Sequence, residues 1–133
     1  MRKIFFYEKD GVSQVKNFFS DTDEKIRSKL KFQLTYLLDE KNQFVQPHVK
    51  HFSIEKYRRM YELRIKRSYA MVRVIFYEHE GEIILLHAFY KKDRKDTERA
   101  LETGLRILNK TLIADGNMPD EYKKEYIKLG KGI

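Results

Sequence analysis

The 133-residue chain contains no cysteine. Disulfides, thiolate nucleophiles and thiolate metal sites are therefore excluded, and the composition is compatible with a cytosolic setting. No stretch approaches the ~20 consecutive apolar residues of a membrane span. Met1 to Asp10 holds only a short apolar run, Ile4 to Tyr7, before charge resumes, so it lacks the apolar core of a secretory signal. A cytoplasmic protein without a membrane partner is expected. There is no glycine-rich loop to cradle a phosphate, no H-E-x-x-H pair and no nucleophile elbow. Internal repeats and low-complexity segments are also missing. The four histidines, His48, His51, His79 and His87, do not share ligand spacing on one helix. His48 and His51 could chelate a metal, but exposed loop histidines are the plainer reading. We expect no metal and no cofactor.

What the chain has in abundance is charge. Lys and Arg number 28 against 20 Asp and Glu, giving a formal charge of +8, and charged residues make up 36%. A domain this basic suits a polyanion, an acidic partner or an anionic surface, although surface charge that merely aids solubility is an equal alternative. Apolar residues at 41% and aromatics at 14% are enough for one compact core.

Hydrophobic spacing predicts the order β-α-α-β-β-β-α, an α+β class with an antiparallel-rich sheet and helices packed on one face. Residues 3–8 read as a first strand. Val12, Val15, Phe18 and Phe19 repeat at helical spacing. Ile26, Leu30, Leu34, Leu37 and Leu38 form an apolar stripe for a second helix over about 23–40, with Asp21 and Thr22 as candidate caps. The segment 42–54, with Pro47, has no clear period and reads as a loop. Three strands follow over 57–66, 69–77 and 82–90, joined by turns at Arg67-Ser68 and Glu80-Gly81. The third is nearly all apolar and should be central, covered on both faces. A last core helix begins near Thr97, with a stripe of Leu101, Leu105, Leu108 and Leu112 weakened by Gly104. Residues 1–114 are read as the domain and 115–133 as a basic extension with a possible helix from Asp120 to Leu129. Leu30, Leu34, Val72, Val74 and Leu105 are expected to be buried.

Alternation places Arg73 opposite Val72 and Val74, and Glu62 and Arg64 opposite Tyr61, Leu63 and Ile65. Two arginines on adjacent strands can thus share the face away from the helices. A structural ion pair of Glu62 with Arg64 or Arg73 explains the same pattern at least as well. The run Lys91-Lys92-Asp93-Arg94-Lys95-Asp96 is either a solvated loop or a phosphate-binding edge, with Phe89 and Tyr90 beside it to stack on a base.

The segments Met60-Tyr61-Glu62-Leu63-Arg64, Val72-Arg73-Val74-Ile75-Phe76-Tyr77 and Gly81 to Lys92 (GEIILLHAFYKK) together resemble the phage-derived, HigB-like branch of the RelE/ParE toxin superfamily. The resemblance is strong from about Met60 to Ala100. It departs where Asp96-Thr97 replaces a usual Thr-Pro, where Ala88 replaces a common Gly, and where Tyr61 replaces a common Trp. It implies the toxin of a type II toxin–antitoxin pair, a metal-independent endoribonuclease cutting mRNA in the translating ribosome. It also implies a cognate antitoxin, commonly a helix-turn-helix protein, in a hetero-oligomer that reaches operator DNA only through that antitoxin. The reaction it implies is attack of a ribose 2′-OH on the adjacent phosphate. By position, Arg73 and Arg64 would stabilise the phosphate, with Lys91 and Lys92 as further catalytic cations. Lys95, Arg94, Lys66, Phe89 and His87 would bind RNA, and for His87 a sheet histidine held by hydrogen bonds fits as well. A non-catalytic ParE-like binder, or a general RNA-binding protein, is the competing expectation. Because Arg73 is placed on an outer face, its replacement by alanine is expected to leave folding intact.

Overall fold

The computed structural model describes residues 1–126. Strand β1 (Lys3–Tyr7) leads into helices α1 (Gln14–Ser20) and α2 (Glu24–Leu38), then β2 (Val49–His51), β3 (Met60–Arg67), β4 (Ala70–His79), β5 (Glu82–Tyr90), helix α3 (Arg94–Thr111) and β6 (Lys123–Glu125). The sheet order is β2-β3-β4-β5-β1-β6. Strand β1 runs parallel to β5, and the other neighbours are antiparallel. The α+β class and the 60–90 meander are as expected from the sequence.

Each helix starts on a side-chain cap that satisfies a free backbone N–H. Ser13 caps α1 by accepting from the Lys16 N–H. Asp23, rather than Asp21 or Thr22, caps α2 by accepting from the Ile26 N–H at 2.9 Å. A reciprocal capping box of Asp93 and Asp96 starts α3 three residues before Thr97.

The helices do not share one face. Helices α1 and α2 bury Val15, Phe19, Ile26, Leu30, Leu34 and Leu37 against Ile4, Leu63, Val72, Val74 and Leu85. Helix α3 lies on the opposite side, where Ala100, Leu101 and Leu108 meet Met60, Ile75, Tyr77, Ile84 and Leu86. The expectation of helices on one face is thus corrected. Its physical reason was present in β5, whose unbroken apolar run needs cover on both sides. Leu30, Leu34, Val72 and Val74 are fully buried, whereas Leu105 is only half-buried at the flank of α3.

Gly104 has a packing role. A Cβ there would lie 2.8 Å from Met60 Sδ and 3.3 Å from Ile75 Cγ2, so its bare backbone lets α3 approach the sheet. Within the expected loop, Val49–His51 forms the edge strand β2 against Tyr61–Leu63. The expected helix from Asp120 begins instead as a 3₁₀ turn over Asp120–Tyr122, and Lys123–Glu125 then pairs with β1; Leu129 lies outside the described residues. Three residues on a strand edge carry too little periodicity to be distinguished from a turn of helix. Among the described residues, no helix is long and apolar enough to cross a membrane.

Candidate nucleic-acid interface

Strands β3 and β4 pair Arg64 directly with Arg73, and β5 places Phe89 opposite Arg73. These side chains occupy the α3 side of the sheet, with Phe89 beside the first turns of α3. The geometry owes much to an irregularity. Between β4 and β5 the register steps from Ile75↔His87 to Phe76↔Leu85, leaving Leu86 as an extra residue. Such a bulge reverses the alternation beyond it. Ile83 and Leu85 face α1 and α2, but so does Ala88, while His87 and Phe89 turn to the α3 side. Their rings stack at 6.2 Å and line a cavity of about 200 Å³ with Asp96, Arg99 and Thr103.

The two arginines converge on one carboxylate. Glu62, 1% exposed, accepts a hydrogen bond from Arg64 Nε at 3.1 Å, and Arg73 Nε lies 3.6 Å from the same oxygen. The structural ion pair considered from the sequence is therefore present, in both of its forms at once. Arg73 is 6% exposed and also donates through Nη1 to the Val72 carbonyl. Burial lowers its pKa from the usual guanidinium value, with Glu62 opposing that shift and Arg64 adding to it. Arg73 does not lie on an open outer face, because its neighbours Ile75 and Tyr77 are covered by α3. The premise that this outer face contributes little to stability does not hold at Arg73: alanine here would leave a buried carboxylate short of a partner. Burial also depresses the pKa of His87 below the usual imidazole value.

The other sequence-derived residues are distributed around this centre. Lys66 is exposed on β3, two residues from Arg64 on the same face. The Lys91 N–H donates to the Met71 carbonyl, which places Lys91 two residues beyond Phe89 along the chain. Lys92, Arg94 and Lys95 are exposed in the capping box and the first turn of α3. Asp96 accepts from the Lys92 and Asp93 backbone N–H groups, which hold its carboxyl below the usual carboxylate range. Arg64, Arg73, Phe89 and His87 thus form one cluster with Lys66 at its edge, and the loop cations form a second group at the start of α3.

Sequence reasoning missed the contribution of α2. Its residues Lys29, Phe32 and Gln33 line a groove together with Arg64, Lys66 and Arg73. His48 and His51 are engaged separately, His48 Nδ1 with Gln33 Nε2 at 2.9 Å and His51 Nε2 with the Arg58 carbonyl. Gln14 was also missed. Its side-chain amide pairs with both the N–H and the carbonyl of Ala88, at 2.9 and 2.8 Å, continuing the role of β1 past its end and fixing the strand that carries Phe89.

The fold and site define a small α+β protein with a cationic, aromatic-edged sheet face. The family described as Phage derived protein Gp49-like (DUF891) matches residues 17–109, and the chain belongs to that family. The match spans α2, all of β2 to β5 and most of α3. No curated protein matches the chain.

Proposed function

We propose that this protein is the toxin of a toxin–antitoxin pair and an endoribonuclease that cuts mRNA on the ribosome. The Gp49-like family is commonly associated with RelE/HigB-like toxins. The observation that carries the reading is the cross-strand pair of Arg64 and Arg73, held on rigid strands by one shared carboxylate. Two guanidinium groups against one carboxylate leave an excess positive charge where a phosphate can sit. Phe89 and His87 offer ring faces for the adjoining base.

In this reading the ribose 2′-OH attacks the neighbouring phosphorus, the P–O5′ bond breaks, and the products are a 2′,3′-cyclic phosphate and a free 5′-OH. Arg73 and Arg64 offset the charge that develops on the phosphate oxygens. They are already oriented, so little reorganisation is needed in the transition state. His87, with its depressed pKa, is neutral near pH 7 and suited to accept the 2′ proton. Lys91 and Lys92 supply further positive charge, and one of them returns a proton to the leaving oxygen. Lys95, Arg94 and Lys66 hold the flanking phosphates. An antitoxin covering this face would silence it in the cell that makes it.

A non-catalytic binding module has one observation in its favour, the 6% exposure of Arg73, as suits a purely structural ion pair. Ribosome-dependent mRNA cleavage by purified protein separates the two. Wild type should cut, in the presence of EDTA as well so long as the ribosomes are kept intact, and Arg73→Ala should lose roughly a hundredfold to a thousandfold in rate. Undiminished cutting by an Arg73→Ala protein shown to be folded would overturn the assignment of Arg73. Absence of cutting by wild type, with translation still blocked, would favour the binding module.

A further inference from the structure

The groove that α2 forms with β3 encloses about 940 Å³; it shares Arg64, Arg73 and Lys66 with the chemistry described above, but its α2 wall of Lys29 and Phe32 takes no part in that chemistry. It exists because β2 is short. Strand β2 covers β3 over Tyr61–Leu63, and the His48 carbonyl reaches the Arg64 N–H, but β3 runs on to Arg67, paired with β4 on one side and, among the described residues, with no strand on its outer side. Ile65 is buried toward α2, whereas Arg64 and Lys66 project to the opposite face. A groove lined by all three therefore turns around the free edge of the sheet.

Three features bear on its occupant. Lys29, Arg64, Lys66 and Arg73 all line the groove, and among the described residues no Asp or Glu does. Phe32 stands on its α2 wall, 73% exposed, off the apolar stripe that α2 buries. Lys29 Nζ donates to the Lys66 carbonyl at 2.6 Å, so the outward acceptor of the open edge is already taken. A lysine laid against an edge in this way blocks addition of another strand. What remains is a cationic track with an exposed ring. That combination suits a polyphosphate chain carrying flat bases better than an extended peptide.

We propose that this groove binds a single-stranded RNA segment, its phosphates running from Arg64 and Arg73 past Lys66 to Lys29, with one base stacked on Phe32. The polarity of the track rests on the reading of Arg64 and Arg73 as the cleavage centre, but the binding itself does not. An RNA held at both ends would be aligned at the arginines, so Lys29 and Phe32 would raise affinity for longer substrates without touching the reacting atoms.

The test uses the full chain and fluorescence anisotropy with 2′-O-methyl oligoribonucleotides, which bind but cannot be cut. Wild type should bind an oligomer of about eight nucleotides roughly tenfold more tightly than one of about three. Phe32→Ala should remove most of that gain. Lys29→Ala and Lys66→Ala should each lower the salt slope by about 0.7, the contribution of one phosphate on a single strand. Circular dichroism checks that these surface variants fold. Length dependence unchanged in all three variants would overturn the proposal. So would displacement of the RNA by polyglutamate at equal charge concentration, which would assign the groove to an acidic protein. If wild type cuts no mRNA yet Phe32→Ala still loses the length-dependent gain, the groove stands while the nuclease reading fails. Normal cutting together with variants that bind like wild type refutes the groove alone.

Discussion

Arg73→Ala tests the ion cluster and the chemistry together. The substitution leaves the Glu62 carboxylate, 1% exposed, with Arg64 as its remaining cationic neighbour at 3.1 Å. Opposite unit charges about 4 Å apart attract by about 4 kcal/mol at an effective dielectric of about 20. The Arg73–Glu62 separation is 3.6 Å. Two effects reduce the loss. Burial of Arg73 and its repulsion from Arg64 both disfavour its charge in the folded protein, and both vanish with the side chain. Removing one partner of a buried pair typically costs about 3–5 kcal/mol. With Arg64 still in place, we expect Arg73→Ala to lose about 2 kcal/mol. Glu62→Gln should restore part of that loss in the double variant, because the stranded negative charge is gone. The assay is urea denaturation of wild type, both single variants and the double variant, followed by circular dichroism. A favourable coupling energy of about 1–2 kcal/mol closes the cycle as expected for side chains in contact. Cleavage by the double variant should stay as low as in Arg73→Ala, because stability has been recovered without the phosphate donor. Stability of Arg73→Ala within ~0.5 kcal/mol of wild type, a shift ordinary for a surface site, would refute the reasoning, as would losses that simply add.

Two further outcomes follow from the packing around this centre. Gly104→Ala improves helix propensity by about 1 kcal/mol in isolation, yet its Cβ would sit 2.8 Å from Met60 Sδ, so a net loss of about 1–2 kcal/mol in thermal denaturation is expected; a more stable variant would show that α3 can back away freely. His87 should titrate below the usual imidazole value in a proton NMR titration. The unfolded chain then binds the proton more readily than the folded one, so stability falls as pH drops through the unfolded histidine range near ~6.5 and is regained above it. His87→Phe should flatten that part of the pH profile, and a midpoint at or above the usual value would sink the proposed proton acceptor.

The sequence by itself determined the local elements and the class. The stripe of Ile26, Leu30, Leu34 and Leu37 specifies α2 because 3.6-residue spacing stacks those side chains on one face. The two-residue turn at Glu80-Gly81 carries positive φ at both positions, which a tight hairpin requires, and so the meander was readable. Alternation likewise put Glu62, Arg64 and Arg73 on a common face, and the strand pairing bears this out. The tertiary structure decided which helix covers which face, because amphipathic spacing says that a helix has an inner side but not which sheet surface it meets. It also decided the short edge strand at Val49–His51, too brief to show a period of its own, by pairing it with Tyr61–Leu63. Most consequentially, it set the bulge at Leu86. Strict alternation would have sent His87 and Phe89 to the α1 and α2 side, away from Arg73. One extra residue in β5 reverses that phase, a step that depends on how β4 and β5 pack together rather than on either strand's own pattern.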